Sequence, residues 1–226
     1  VKEEVRILWE DQSLLLCVKP AGILSQPAPT EEEDLLTLLQ RQRPYVAAVH
    51  RLDQAVGGVM VFAKTPAAAA GLSEKIRQQQ IRKEYLAVVS GCPADKEGVL
   101  KDLLLRDSTQ NKTYVVDRLR KGVREASLEY RVLQTVGQGE EQCSLLRIRL
   151  HTGRSHQIRV QFASRGYPLL GDGRYGSRRR EGGVALWSAR LSFTHPLRHM
   201  DVRGEALPPV ENWPWKYFQW EKGMLG

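Results

Sequence analysis

Cysteine is scarce in this chain of 226 residues: Cys17, Cys92 and Cys143 are odd in number, far apart and outside any CxxC pair. Such spacing argues against a disulfide framework and against a structural zinc site, and it fits a reducing compartment. The three read as small buried apolar residues. A cytoplasmic location, or another reducing intracellular one, is therefore expected. No apolar run approaches the ~18 residues of a membrane span, and no charged-then-apolar leader opens the chain, so no membrane association and no signal peptide are expected. Internal repeats are absent as well, and the length suffices for one domain with a substantial core.

Acid is the other scarcity, and it is local. The chain carries 34 Lys and Arg against 26 Asp and Glu, a net charge of +8. Between Arg147 and Arg180 stand nine arginines and a single acid, Asp172. A basic excess gathered in one segment points to a polyanion, and arginine in place of lysine suits planar two-point contact with phosphate. Basic balance alone also fits an acidic membrane surface.

Short alternating runs over Ile7 to Glu10, Leu14 to Lys19, Lys83 to Ser90, Thr113 to Val116, Ser127 to Val136, Ser144 to His151 and Leu186 to Thr194 predict strands. In the run at 144–151, Arg147 and Arg149 point opposite to Leu146, Ile148 and Leu150, which makes one sheet face basic. Thr30 with Glu33 gives a capping-box start for a helix to about Gln42, and Pro66 opens a helix to about Gln80. A third helix is predicted over Gly153 to Arg165 with Gly166 as its stop. Strands outnumber helices without alternating regularly, so the fold class is α+β, with a mixed, mostly antiparallel sheet flanked by helices. The basic stretch Ser177 to Gly183 is the best candidate for a mobile loop, and the aromatic tail after Pro208 and Pro209 is expected to pack back on the core.

The chemistry is concentrated in His50-Arg51-Leu52-Asp53, set just before the apolar run from Gly57 to Ala63. Loops that precede a strand present side chains at the rim of a cleft, and an arginine beside the acid holds it ionised. By residues alone, Asp53 reads first as the partner of a solvated ion pair worth up to ~1 kcal/mol. Tyr85 reads first as a core aromatic, and Arg154 is equally an ordinary surface arginine.

Four ordered segments decide between these readings: Lys19-Pro20-Ala21-Gly22, His50 to Asp53, Lys83-Glu84-Tyr85-Leu86-Ala87, and Leu150 to Arg159 continuing through Gly166 to Asp172. In order and spacing they resemble the RluA-type family of RNA pseudouridine synthases, over about Lys19 to Pro196. The resemblance implies that family's catalytic fold with an RNA-binding cleft, built as a single catalytic domain over 1–226 without a separate N-terminal RNA-binding domain. It implies an isomerase that detaches uracil from ribose at N1, turns it and rejoins it through C5, with no cofactor and no metal. The expected substrate is rRNA or tRNA, and the expected form is a monomer.

Residue by residue, the resemblance makes Asp53 the essential aspartate, Arg159 the cation that keeps it ionised, and Tyr85 the ring that stacks on the uracil. Arg51 is expected to fill the space left by the flipped base, an extrusion that costs a few kcal/mol. His50 and His156 are expected as orienting hydrogen-bond partners at the RNA, and Arg154, Arg178, Arg179 and Arg180 as phosphate contacts.

Two patterns are decoys. Gly171 to Gly176 satisfies GxGxxG but is followed by Ser177 and three arginines, so no dinucleotide site follows. His195 and His199 are four apart with Pro196 between them, which rules out a metalloprotease helix. One departure from the family is Val56-Gly57-Gly58 where most members have Thr-Ser-Gly, and the lost hydroxyls predict a looser cleft. The alternatives are an inactive RNA-binding or chaperone protein on the same fold, which need not keep all three chemical residues, and an aspartate-dependent nucleoside hydrolase, which lacks a second convergent carboxylate.

Overall fold

The computed structural model describes residues 5–29, 32–221 and 223–225, and they form two compact units. The first contains the described residues up to Lys83 together with Trp187–Pro208. The second contains Glu84–Leu186 and the described residues from Pro209 onward.

In the first unit, β1 (Ile7–Glu10), β2 (Leu14–Lys19), β4 (Gly57–Ala63) and β10 (Leu186–Thr194) lie side by side in that order. The two-residue β3 (Ala47–Ala48) pairs with β4, and β11 (Asp201–Glu205) pairs with β10. All of these pairings are antiparallel except β4 with β10, so the sheet is mixed. Leu14, Leu15, Leu16 and Cys17 are fully buried, and every residue of β4 is buried. A strand buried on both faces reads as a continuous apolar run, which is what Val59-Met60-Val61-Phe62-Ala63 shows.

Two helices belong to this unit. The six-residue α1 (Leu35–Gln40) starts at Asp34, whose carboxylate accepts from the Thr37 N–H at 2.9 Å. Thr30 lies outside the described residues, and Glu33 stands before the cap, so the helix is shorter than its acidic lead-in predicts. The longer α2 (Pro66–Arg77) is capped by Thr65, which accepts from the Ala68 N–H, with proline in the first turn.

Packing overturns the expectation of looseness at Gly57 and Gly58. A Cβ on Gly57 would come within 2.4 Å of the Trp187 ring, and one on Gly58, at φ +119, within 2.2 Å of the Ser188 carbonyl. Both glycines lie inside the β4–β10 pairing, where backbone and indole approach too closely for any side chain. The two positions are closed by contact.

The second unit is a sheet in the order β5 (Arg82–Ser90), β9 (Cys143–Leu150), β8 (Val123–Val136), β6 (Glu97–Asp107), β7 (Lys112–Val116), with β6–β7, β6–β8 and β8–β9 antiparallel. The seven-residue α3 (Gln157–Ala163) packs Val160 against Leu104 and Ala126, and Phe162 edge-on to Tyr130 at 5.4 Å between ring centres. Its end is as predicted: Gly166 at φ +83 donates to Ala163 O, and Tyr167 donates to Phe162 O, the paired bonds of a glycine-closed helix.

Its start is not. Residues 151–156 stay out of the helix, and they are tied to Gln157 and to Ser127 by other bonds. Gln157 Oε1 accepts from the Arg154 N–H at 3.0 Å and from Thr152 Oγ1 at 2.8 Å, while Gln157 Nε2 donates to Ser127 O at 3.1 Å. The aromatic tail packs back as expected, burying Trp215 and Phe218. Among the described residues, no helix is long and apolar enough to cross a membrane.

Candidate active site

In the first unit Asp53 sits in a turn between β3 and β4, with its neighbours clamped on either side. Leu52, itself buried, is held at both backbone groups by one hydroxyl: Ser25 Oγ donates to Leu52 O at 2.8 Å and accepts from Leu52 N–H at 3.0 Å. On the other side the Gln54 carbonyl accepts from Gly22 N–H at 2.8 Å and from Lys19 Nζ at 3.2 Å, and Asp53 O closes the turn onto Val56 N–H at 2.9 Å. Asp53 is half-buried. A carboxylate carried on a backbone fixed at both flanks is presented in one orientation.

Lys19 is the residue that sequence reading underrated. It is fully buried, and its ammonium also donates to Pro20 O at 2.9 Å and Ile23 O at 2.7 Å. Three carbonyls thus use all three donors. Burial pushes its pKa down to about 8, and the negative charge of Asp53 pulls it back up. The family segment Lys19 to Gly22 therefore ties the end of β2 to the Asp53 turn.

His50 performs a related task. Its Nε2 accepts from the Val61 N–H at 3.1 Å, which fixes the tautomer with the proton on Nδ1. Burial, and then the Lys83 charge, push its pKa down to about 3. It is a neutral acceptor that anchors the turn to β4. Arg51, between His50 and Leu52, is exposed.

In the second unit Tyr85 lies on β5 and is 7% exposed. Leu86 and Val88, which strand alternation sets on the opposite face from Tyr85, Ala87 and Val89, are fully buried too, so β5 is covered on both faces.

Arg159, on α3, is buried and makes a two-point ion pair with Asp172: Nε to Oδ2 at 2.6 Å and Nη2 to Oδ1 at 2.8 Å. Its guanidinium carbon stands 5.1 Å from the centre of the Tyr175 ring. Tyr175 accepts the Thr113 N–H at 2.9 Å and lies 2.8 Å from His156 Nδ1. His156 caps α3 in the left-handed region, at φ 50, and is buried. Asp172 and Tyr175 both come from the rejected GxGxxG segment. That loop orients Arg159. Sequence reading missed both residues, although Asp172 is the only acid among nine arginines and was visible as such.

The remaining basic residues divide. Arg154 is exposed and donates through Nε to Glu125 O at 2.9 Å. Arg178 and Arg180 are exposed, Arg178 lying 3.5 Å from Glu140. Arg179 is half-buried, and its carbonyl accepts from Ser177 Oγ at 2.7 Å and Gly171 N–H at 3.0 Å. Ser177 is itself buried, so the loop expected to be mobile is bonded to its base.

A family model described as RNA pseudouridylate synthase matches residues 13–164. The chain belongs to the RNA pseudouridylate synthase family. It is 36% identical over 195 residues to the dual-specificity RNA pseudouridine synthase RluA of Escherichia coli (strain K12), spanning 84% of this chain and 87% of that one. Against the protein of the same name from Yersinia pestis it is 35% identical over 195 residues, covering 84% and 92%. The solved human RNA pseudouridylate synthase domain containing 1 superposes with a TM-score of 0.77 at 21% identity, over 92% of this chain and 85% of that one. That likeness concerns the fold, α+β as expected. The enzyme is thus an RNA pseudouridine synthase, an isomerase acting on uridine in RNA.

Proposed function

We propose that the enzyme isomerises specified uridines of rRNA or tRNA, with Asp53 opening the reaction. The observation that carries this assignment is the clamped turn: Ser25 on one side of Asp53 and the buried Lys19 on the other immobilise the acid that the family motif marks. In the proposed sequence the N1–C1′ bond breaks as the Asp53 carboxylate bonds to C1′, the uracil turns, C5 bonds to C1′ as the Asp53–C1′ bond breaks, the C5 proton leaves, and N1 takes up a proton. No atom is gained or lost.

Tyr85 offers a flat face for the ring and a hydroxyl suited to proton removal at C5. Arg159 is the cation that the family motif assigns to the carboxylate, and its two bonds to Asp172 support a fixed guanidinium. Arg51, Arg154, Arg178, Arg179 and Arg180 contribute positive charge for the RNA backbone. His50 and His156, turned onto Val61 and Tyr175, act by positioning.

The test is a map of pseudouridine in rRNA and tRNA from cells with and without this gene. Loss of one or more positions, restored by the wild-type gene, supports the proposal, and an unchanged map in both RNA classes contradicts it.

A further inference from the structure

The second unit contains a cavity of about 480 Å³ whose lining includes Glu141, Arg179, Glu181, Trp213 and Tyr217. Neither Tyr85, Arg159 nor Asp172 belongs to its wall. The size is that of a small-molecule site. Its aromatic side is built by the tail. Trp215 and Phe218 are 5% exposed and serve as anchors, whereas Tyr217 is 50% exposed. The tail is tied down in between: Gln134 Nε2 donates to Gln219 O at 2.6 Å, Gln134 Oε1 accepts from Gln219 N–H at 2.9 Å, and Trp220 Nε1 donates to Trp215 O at 3.0 Å. Two aromatic rings are thus held at a cavity on a fixed backbone.

The charged lining is equally specific. Among the described residues, Arg179, Glu141 and Glu181 form no ion pairs, although charges of both signs meet at one cavity. A ligand that satisfies them offers acceptors to the guanidinium, donors to a carboxylate and a flat face to the rings. A nucleotide has all three. Its phosphate suits Arg179, its base stacks, and its amino edge donates to glutamate. Guanine fits best, because its N1–H and exocyclic amino group are adjacent donors that one carboxylate accepts at two points, whereas uracil offers one. Arg178 and Arg180, exposed on either side of Arg179, are placed to meet neighbouring phosphates of a strand.

We propose that this cavity is a nucleotide-binding site, selective for guanine and separate from the uridine chemistry, with Trp213 and Tyr217 stacking the base, Glu141 and Glu181 reading its amino edge and Arg179 holding phosphate. The ligand is either a free nucleotide or an unpaired guanosine of the RNA, and the second source rests on the function proposed above.

The experiment titrates 5′-GMP, 5′-UMP, guanosine and the trinucleotide GpGpG into the full chain labelled with 15N-tryptophan. The Trp213 indole signal is assigned by Trp213→Phe. GMP is expected to shift that signal, with UMP about tenfold weaker. Tyr217→Ala should weaken GMP about tenfold, Arg179→Ala should remove the advantage of GMP over guanosine, and Glu141→Gln with Glu181→Gln should remove the preference for GMP over UMP. Tighter binding of GpGpG than of GMP identifies the RNA strand as the source, and equal binding identifies the free nucleotide.

A Trp213 signal unmoved by both GMP and GpGpG, or equal binding of GMP and UMP, overturns the proposal. The titration uses no turnover. Run in the Asp53→Asn background, it fails or succeeds independently of the catalytic assignment.

Discussion

Arg159 and Asp172 face each other across a buried two-point ion pair, Nε to Oδ2 at 2.6 Å and Nη2 to Oδ1 at 2.8 Å, with the Tyr175 ring beside the guanidinium. Thirteen residues apart in sequence, they join α3 to the loop that follows it. Two parallel bonds fix the plane of a guanidinium as well as its position.

Removing one partner of such a pair strands a buried charge. Asp172→Asn keeps the size and one acceptor, so it should destabilise the protein by about 2–4 kcal/mol, somewhat less than full loss of a buried partner. Urea unfolding of the variant measures this. A midpoint equal to wild type would show that Arg159 does not depend on Asp172.

Lys19→Met keeps the stem of the side chain and deletes the donor to three carbonyls. Pro20, Ile23 and Gln54 would each lose a bond to a buried ammonium, for a loss of about 2–4 kcal/mol after relief of the ammonium's own desolvation. Hydrogen exchange should rise first at the Gly22 amide, which shares the Gln54 carbonyl with Lys19. Unchanged exchange there would contradict the clamp.

His50 carries a pH signature. Its pKa is about 3 in the folded chain against an ordinary histidine value of 6.5, so between those limits the unfolded chain binds more protons. Stability contributed by neutral His50 is therefore present above pH 6.5 and is lost as pH falls toward 3, by up to ~1.4 kcal/mol per pH unit. His50→Gln keeps an acceptor for the Val61 N–H and does not titrate. Its melting temperature should fall less steeply than wild type between pH 6.5 and 4, and parallel curves would show that His50 is charged when folded.

Much of the fold was legible because period-2 alternation and turn residues are local signals. β1, β2 and β10 match the sequence reading residue for residue, and the end of α3 follows from Gly166 alone. β6 was missed because Glu97 to Asp107 mixes Lys101, Asp102, Arg106 and Asp107 into an apolar run without strict alternation. Its strand character comes from pairing on both sides, with β7 and β8. The start of α3 was misplaced for a similar reason, since Gln157 competes for the backbone through contacts with β8 that no local pattern encodes.

At the site, the catalytic candidates were legible through the family segments, and their supports were not. Nothing in the spacing of Lys19 announces a fully buried ammonium, and Ser25 reaches Leu52 across 27 positions. Asp172 is the exception, because a lone acid among arginines is a visible candidate for a buried pair.

One substitution isolates the part that Asp53 plays. Asp53→Asn keeps size and hydrogen-bonding capacity while deleting the charge and the nucleophile. The variant should melt near wild type, bind RNA at least as tightly because an anion has left a basic surface, and form no pseudouridine. Single-turnover release of tritium from C5 of labelled uridine in RNA is the measurement. The account predicts release at background level from folded, RNA-bound Asp53→Asn, and substantial release from that variant would contradict it.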